Sequence, residues 1–287
     1  MPSIDLKRYE VWLLTGSQHL YGPETLAAVE QHARTIAAGL DESSAIAVRV
    51  VCQAVLTTPE QIRDAALAAN AAPNCIGVVA WMHTFSPSKM WIAGLQLLQK
   101  PLLHLHTQFN RALPWSTIDM DFMNMNQSAH GDREFGFLCA RLRQPRKVVV
   151  GHWEDQRVRD DVGVWCRAAA ARHDAQTAKV ARIGDNMREV AVTEGDKVAA
   201  QIRLGVAVNG YGLGDVVRRV QQASDREIDE LCSRYDDEYD MAAPLQPGGP
   251  RRQALRDAAQ IEIGLRRFLD DGGVVALTHT LGKLPGA

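Results

Sequence analysis

From residue 9 onward, short β-rich runs alternate with longer stretches whose apolar residues recur every three or four positions, the pattern of a parallel sheet flanked by helices. Residues 9–14 (YEVWLL) read as a first strand. A Gly-containing turn follows, and Pro23-Glu24-Thr25 opens a helix to about Leu40 with Leu26, Val29, Ala33, Ile36 and Ala37 on one face. A second strand is expected at 47–55, a helix capped by Thr58 behind it, and a third strand at 76–82. That third run is continuously apolar, as in strands covered on both faces. The pattern then predicts a helix over 86–98, a strand at 101–106, a helix over 133–143 and a fifth strand at 147–153.

Between the fourth strand and its helix lies a long stretch, 107–132, that reads as irregular and carries Trp115, Asp119, Asp121, Asn124, Asn126, Gln127 and His130. Loops of that length inside a compact domain are uncommon without a function. Beyond a polar helix ending near residue 175, a strand is expected at 179–183, another at 201–208, and charged helices over 213–239. A Pro/Gly-rich connector at 244–252 precedes an amphipathic helix over 254–269 and an apolar run at 274–277. The whole reads as α/β, with a doubly wound N-terminal domain over 1–175 and a partial second α/β domain over 176–287.

With 287 residues the chain has enough material for two cores. Apolar residues make up 46% and charged residues 23%, which excludes disordered, collagen-like and coiled-coil chains. The net charge of -2 lacks the basic footprint of a nucleic-acid binder. No apolar run approaches the roughly 20 residues needed to cross a bilayer, and residues 1–10 hold no apolar signal core, so no membrane partner and a cytoplasmic setting are expected. Cys52, Cys75, Cys139, Cys166 and Cys232 are odd in number and widely spaced, which points to buried thiols rather than a disulfide framework or a zinc site.

Five of the nine histidines (His19, His83, His104, His106 and His152) stand at or just past expected strand ends, where doubly wound sheets bind their ligands. His104 and His106, two apart on a strand, share a face and could hold a metal, although half-buried hydrogen-bonded histidines are commoner. Asp119 and Asp121 could share a proton or a cation, although such pairs more often cap helices or meet solvent. Gly210, Gly212 and Gly214 have the spacing of a turn, not of a dinucleotide fingerprint. Spacing alone stops at an α/β protein acting on a small molecule.

More specific are the segments GSQHLYGPETL at 16–26, HTFSPSKMW at 83–91, HTQFNRALPWSTIDMDFMNMNQSAHGDREFGF at 106–137, GHWEDQ at 151–156 and RIGDNMREVAVTEGDKVAAQI at 182–202. Together they resemble bacterial L-arabinose isomerases, almost continuously from residue 9 to 277. The resemblance implies a Rossmann/flavodoxin-like N-terminal domain of the fucose/arabinose isomerase type. It also implies interconversion of L-arabinose and L-ribulose, and in many members of D-galactose and D-tagatose, with Mn²⁺ as cofactor.

Residue by residue, it places Gln18, Leu20, Phe85, Gln127, His130 and Met187 at the sugar pocket, and Leu277 where relatives commonly carry a Phe. It implies a homo-oligomer, trimer or hexamer, in which Phe85, Gln127 and His130 act across a subunit interface while Gln18 and Met187 serve the same-chain pocket. The two Glu and two His that carry metal and catalysis in the family fall beyond the matched segment. The tail at 278–287 resembles the next family segment shortened, so a truncated form is expected, either inactive and weakly sugar-binding or co-assembling with a full-length isomerase. A sugar-binding regulator is the remaining reading, without a DNA-reading segment to support it. Truncation would also leave the apolar surfaces of 254–269 and 274–277 uncovered.

Overall fold

The structure, a computed structural model, describes residues 5–187 and 189–279. The chain divides into two compact units, Met1–His173 and Asp174–Ala287. In the first, the elements run β1 (Glu10–Gly16), α1 (Gly22–Asp41), β2 (Arg49–Cys52), α2 (Pro59–Ala71), β3 (Cys75–Met82), α3 (Ile92–Leu97), β4 (Leu102–His106), α4 (Met120–Asn124), α5 (Ser128–Arg141), β5 (Lys147–Val150) and α6 (Gln156–Ala175). All strand pairs are parallel and the order is β2-β1-β3-β4-β5, the flavodoxin-like doubly wound arrangement.

Helices cover both faces of this sheet, which explains why β3 is buried at every position. On one face Val11, Leu13, Val79, Trp81, Leu103 and Leu105 pack against Ala33, Ile36 and Leu40 of α1 and Val158, Val162 and Cys166 of α6. On the other, Leu14, Val78, Ala80 and Met82 meet Ile62 and Ala69 of α2, Leu95 of α3, and Phe135 and Cys139 of α5. Each fully buried side chain of this size contributes roughly 1.5–3 kcal/mol. Burial also pushes the Cys166 thiol up to about 12, so it packs as a small apolar group.

Three local expectations change. The stretch 107–132 is not irregular throughout: Asp119 caps α4 by accepting from the Phe122 amide at 2.8 Å, and α5 begins at Ser128, ahead of the expected 133. Residues 86–98 form a 3-10 turn at Ser88–Trp91 before α3, with Pro87 itself in a non-helical conformation at ψ 115°. The second strand shortens to four residues, with Leu56 making only an isolated bridge to Gly16.

The second unit has β6 (Lys179–Ile183), α7 (Lys197–Leu204), β7 (Ala207–Tyr211), α8 (Leu213–Val220), α9 (Asp225–Glu238), α10 (Arg252–Gly272) and β8 (Ala276–His279), with a parallel sheet in the order β7-β6-β8. The expected strand at 201–208 is corrected here. Asp196 caps a helix through the Ala199 amide at 2.8 Å, and Gly205 in the left-handed region ends it before β7 begins. Ala259, Gly264 and Phe268 bury the inner face of α10, while Ile261 and Val275 remain exposed. The larger uncovered apolar set is on α7, where Val198, Ile202 and Leu204 all face solvent. The tail at 280–287 lies outside the described residues.

Close approach explains one glycine: a Cβ on Gly163 of α6 would stand 2.1 Å from the Ala45 carbonyl oxygen. Gly163→Ala is therefore expected to destabilise the first unit by about 1–3 kcal/mol in urea unfolding, overpacking outweighing the better helix propensity of alanine. A more stable variant would show that the loop at Ala45 yields freely.

Candidate functional site

In a doubly wound sheet the crevice opens where neighbouring strands send their connections to opposite faces. Here that point lies between β1 and β3: α1 leaves β1 toward one face and α3 follows β3 on the other. Gln18 follows β1 and Phe85 follows β3, and the Gln18 side-chain amide donates to the Phe85 carbonyl at 3.0 Å. Beneath them the buried Ser17 and Thr84 hydroxyls hydrogen-bond at 2.7 Å, tying the two strand ends together.

A cavity of about 680 Å³ opens at this place, lined by Gln18, Leu20, Tyr21, Phe85, Asn124 and Gln127 among others. Two carboxylates, Glu24 and Asp121, also line it, and its lining includes no Lys or Arg. Gln127 donates from Nε2 to Asn124 Oδ1 at 3.0 Å, which leaves the Gln127 carbonyl oxygen as an acceptor; Gln18 is left the same way by its bond to Phe85. The wall is thus rich in acceptors beside an aromatic ring, a combination suited to a neutral ligand bearing several hydroxyl groups.

His130 stacks near Phe85, ring centroids 4.6 Å apart and tilted by 30°. It lines an adjoining apolar cavity of about 450 Å³ with Leu113, Ile118, Phe122 and Met123, and Gln127 borders both cavities. Gln18, Phe85 and Gln127 stand on one cavity of one unit: the ends of β1 and β3 are neighbours in the sheet, and the start of α5 lies beside them. Leu20 is exposed at the rim.

The other two expected pocket residues belong to the second unit. Met187 lies in the turn after β6, its amide donating to Thr193 Oγ1 at 3.1 Å. Leu277 sits on β8 opposite Ala181 and packs half-buried against that unit's apolar cluster. Asp119 is occupied in capping α4, so only Asp121 of that pair reaches the cavity.

Two histidine groups lie outside the cavity lining; sequence pattern places His83, His104 and His106 at strand ends and offers the last two as a metal pair, but gives no signal for His32 on α1. His83 is buried, stacks on Trp81 with centroids 4.3 Å apart, and meets His32 of α1 at 2.8 Å between Nε2 and Nδ1. Burial, with the neighbouring His32 adding to it, lowers the His83 imidazole to about 3, and burial also lowers His32. On β4, His104 bonds Asp132 at 2.6 Å and His106 approaches the same carboxylate at 3.5 Å. Among the described residues no group of three or more His, Cys, Asp or Glu side chains is arranged to hold a metal ion.

Comparison with known proteins gives a consistent picture. Residues 5–177 match the family model described as the L-arabinose isomerase N-terminal domain, and residues 179–287 that of the L-arabinose isomerase central domain. The chain is 63% identical over 283 residues to the L-arabinose isomerase of Herpetosiphon aurantiacus, covering 99% of this chain and 56% of that protein. It is 60% identical to that of Koribacter versatilis, covering 99% and 58%, and 57% identical to that of Flavobacterium johnsoniae, covering 98% and 56%. The chain therefore spans little more than half the length of these curated relatives.

The depressed His83 makes a pH dependence. An unfolded chain binds a proton on this ring below about 6.5, whereas the folded chain does so only near 3, so stability is lost as pH falls through that window. Urea unfolding followed from neutral pH to about pH 4 is expected to show a steeper loss for the wild type than for His83→Phe. Equal slopes would mean that His83 is already charged in the fold.

Proposed function

The chain belongs to the L-arabinose isomerase family, and from that premise we propose that its first unit supplies the sugar-facing wall of a cytoplasmic aldose–ketose isomerase acting on L-arabinose and D-galactose. The observation that carries this reading is the cavity at the β1/β3 crevice, where Gln18, Leu20, Phe85 and Gln127 converge. Acceptor oxygens on the two glutamines receive sugar hydroxyls, and the Phe85 ring with His130 beside it offers an apolar face to the carbon skeleton. Met187 and Leu277 are proposed as further sugar contacts, contributed by the second unit.

The reaction moves hydrogen between C1 and C2 through an enediol-like state, which requires a carboxylate to take and return a proton and a cation to stabilise charge on oxygen. Manganese is the metal proposed from the family. The described residues do not fit it: the cavity offers amides and two carboxylates that form no metal-holding group, and His104 and His106 are turned toward Asp132. No step is therefore assigned to a metal on these residues, and we place the metal and its Glu and His ligands in sequence that the longer relatives carry beyond this match.

Association of copies is part of the proposal. Leu113, Trp115, Met120 and Met123 crowd the segment around α4 with exposed apolar surface, more than scattered single residues would give. Described residues include no helix long and apolar enough to cross a membrane. The alternative, a form that binds sugar weakly without turnover or joins a full-length isomerase, is favoured by the same absence of a metal-holding group among the described residues.

Formation of L-ribulose from L-arabinose with added Mn²⁺ tests both parts. The purified chain is expected to give no turnover, and a chimera extended with the remaining sequence of the Herpetosiphon relative is expected to give it. Turnover by the chain alone would overturn the placement of the metal elsewhere; an inert, folded chimera would overturn the isomerase reading.

A further inference from the structure

The start of α5 presents Gln127 to the cavity and His130 to the one adjoining it, yet no side-chain cap secures it. Gln127 stands at the N-cap position with no side-chain cap bond, and an uncapped first turn leaves amide hydrogens unsatisfied and frays. What holds this end is one buried carboxylate, bonded both within the helix and across to β4. Asp132, one turn further along, is buried with its carboxylate fully shielded from solvent. Its Oδ1 accepts from His104 Nε2 at 2.6 Å, its Oδ2 accepts from the Ser128 hydroxyl, and His106 Nε2 stands 3.5 Å from Oδ2.

His104 and His106 face Asp132 from the same side of β4 with rings parallel within 3°. The ring of His104 is further fixed edge-on against Phe135 of the same helix, centroids 4.9 Å apart. Its Nδ1 is buried without a partner, and a bare lone pair there is less costly than an orphaned N–H, which assigns the proton to Nε2 and makes it the donor to Asp132. Gly131 completes the seat: a Cβ there would lie 3.0 Å from Met82 Cβ and 3.3 Å from the Thr84 carbonyl oxygen, so the helix rests directly on the end of β3, just before Phe85.

We propose that Asp132, held by His104 and Ser128, is the positioning residue that replaces a helix cap and fixes Gln127 and His130 against Phe85 for sugar binding. This rests on the reading of the cavity as a sugar wall. A buried carboxylate bonded to a histidine is a rigid anchor, and loss of that donor leaves one buried carboxylate oxygen unsatisfied, a cost that movement of the α5 end relieves. Such movement would carry Gln127 out of the cavity and His130 off the Phe85 ring. A shift of about 1 Å in groups that orient a ligand can cost up to about 100-fold.

The test compares His104→Gln, whose amide keeps a donor close to the Nε2 position, with His104→Leu, which removes it. Two signals are read: the ring-current shift of the His130 ring protons caused by Phe85, and the apparent Kd for L-arabinose. Thermal midpoints of both variants are expected to fall, since both disturb a buried site. The Gln variant is expected to keep the His130 shift and bind within about twofold of wild type, and the Leu variant to lose the shift and bind about tenfold more weakly.

A folded Leu variant with unchanged His130 shift would overturn the proposal. If the Leu variant does not fold, Ser128→Ala removes one bond to Asp132 alone, and an unmoved His130 signal there would overturn it equally. Should wild type show no response to L-arabinose, the sugar reading fails, while the His130 shifts still decide whether Asp132 positions this turn.

Discussion

The first unit depends on one constraint, the parallel pairing of β1 with β3 at the centre of its sheet. Parallel neighbours cannot be joined by a tight turn, so each strand must hand the chain to a helix and recover it at the far end. Because β2 and β3 lie on opposite sides of β1, the helices that follow β1 and β3 leave toward opposite faces. The crevice at their starting points is a by-product of that divergence, and the Ser17–Thr84 hydrogen bond holds its floor. Continuous burial of β3 and close seating of α5 through Gly131 both follow from covering this sheet on both faces.

Within this frame the chemistry is divided between surface and interior. The cavity wall holds uncharged amides, an aromatic ring and two carboxylates, while His83 and His104 are buried in the interior. Of these, His83 stays neutral at ordinary pH because burial disfavours the charged ring and the neighbouring His32 adds to that effect. His104 instead works through Asp132 on the helix that bears two wall residues.

Much of this was legible from residue pattern. The run at 76–82 is continuously apolar because β3 is covered twice, and Thr58 with Pro59 announced α2 by cap chemistry that needs no tertiary context. Elements governed by local rivals were less legible. Residues 201–208 mix β-branched and polar residues in a strand-like way, but Asp196 and Gly205 bound a helix over their first half. The start of α5 was hidden for a related reason: its cap is replaced by a buried contact with β4, 28 residues earlier in sequence, which no local signal carries. Family motifs brought Gln18, Phe85 and Gln127 to attention, while their convergence on one cavity follows from strand order, which only the fold displays.

The central claim is that the β1/β3 crevice is the surface this chain offers to an aldose. Titrating the isotope-labelled chain with L-arabinose and mapping backbone and side-chain amide shifts by NMR tests it most directly. Perturbations are expected to centre on the side-chain amides of Gln18 and Gln127 and the backbone amide of Phe85, with far smaller changes at the α9–α10 pair. Perturbations centred elsewhere, or none at saturating sugar, would contradict it.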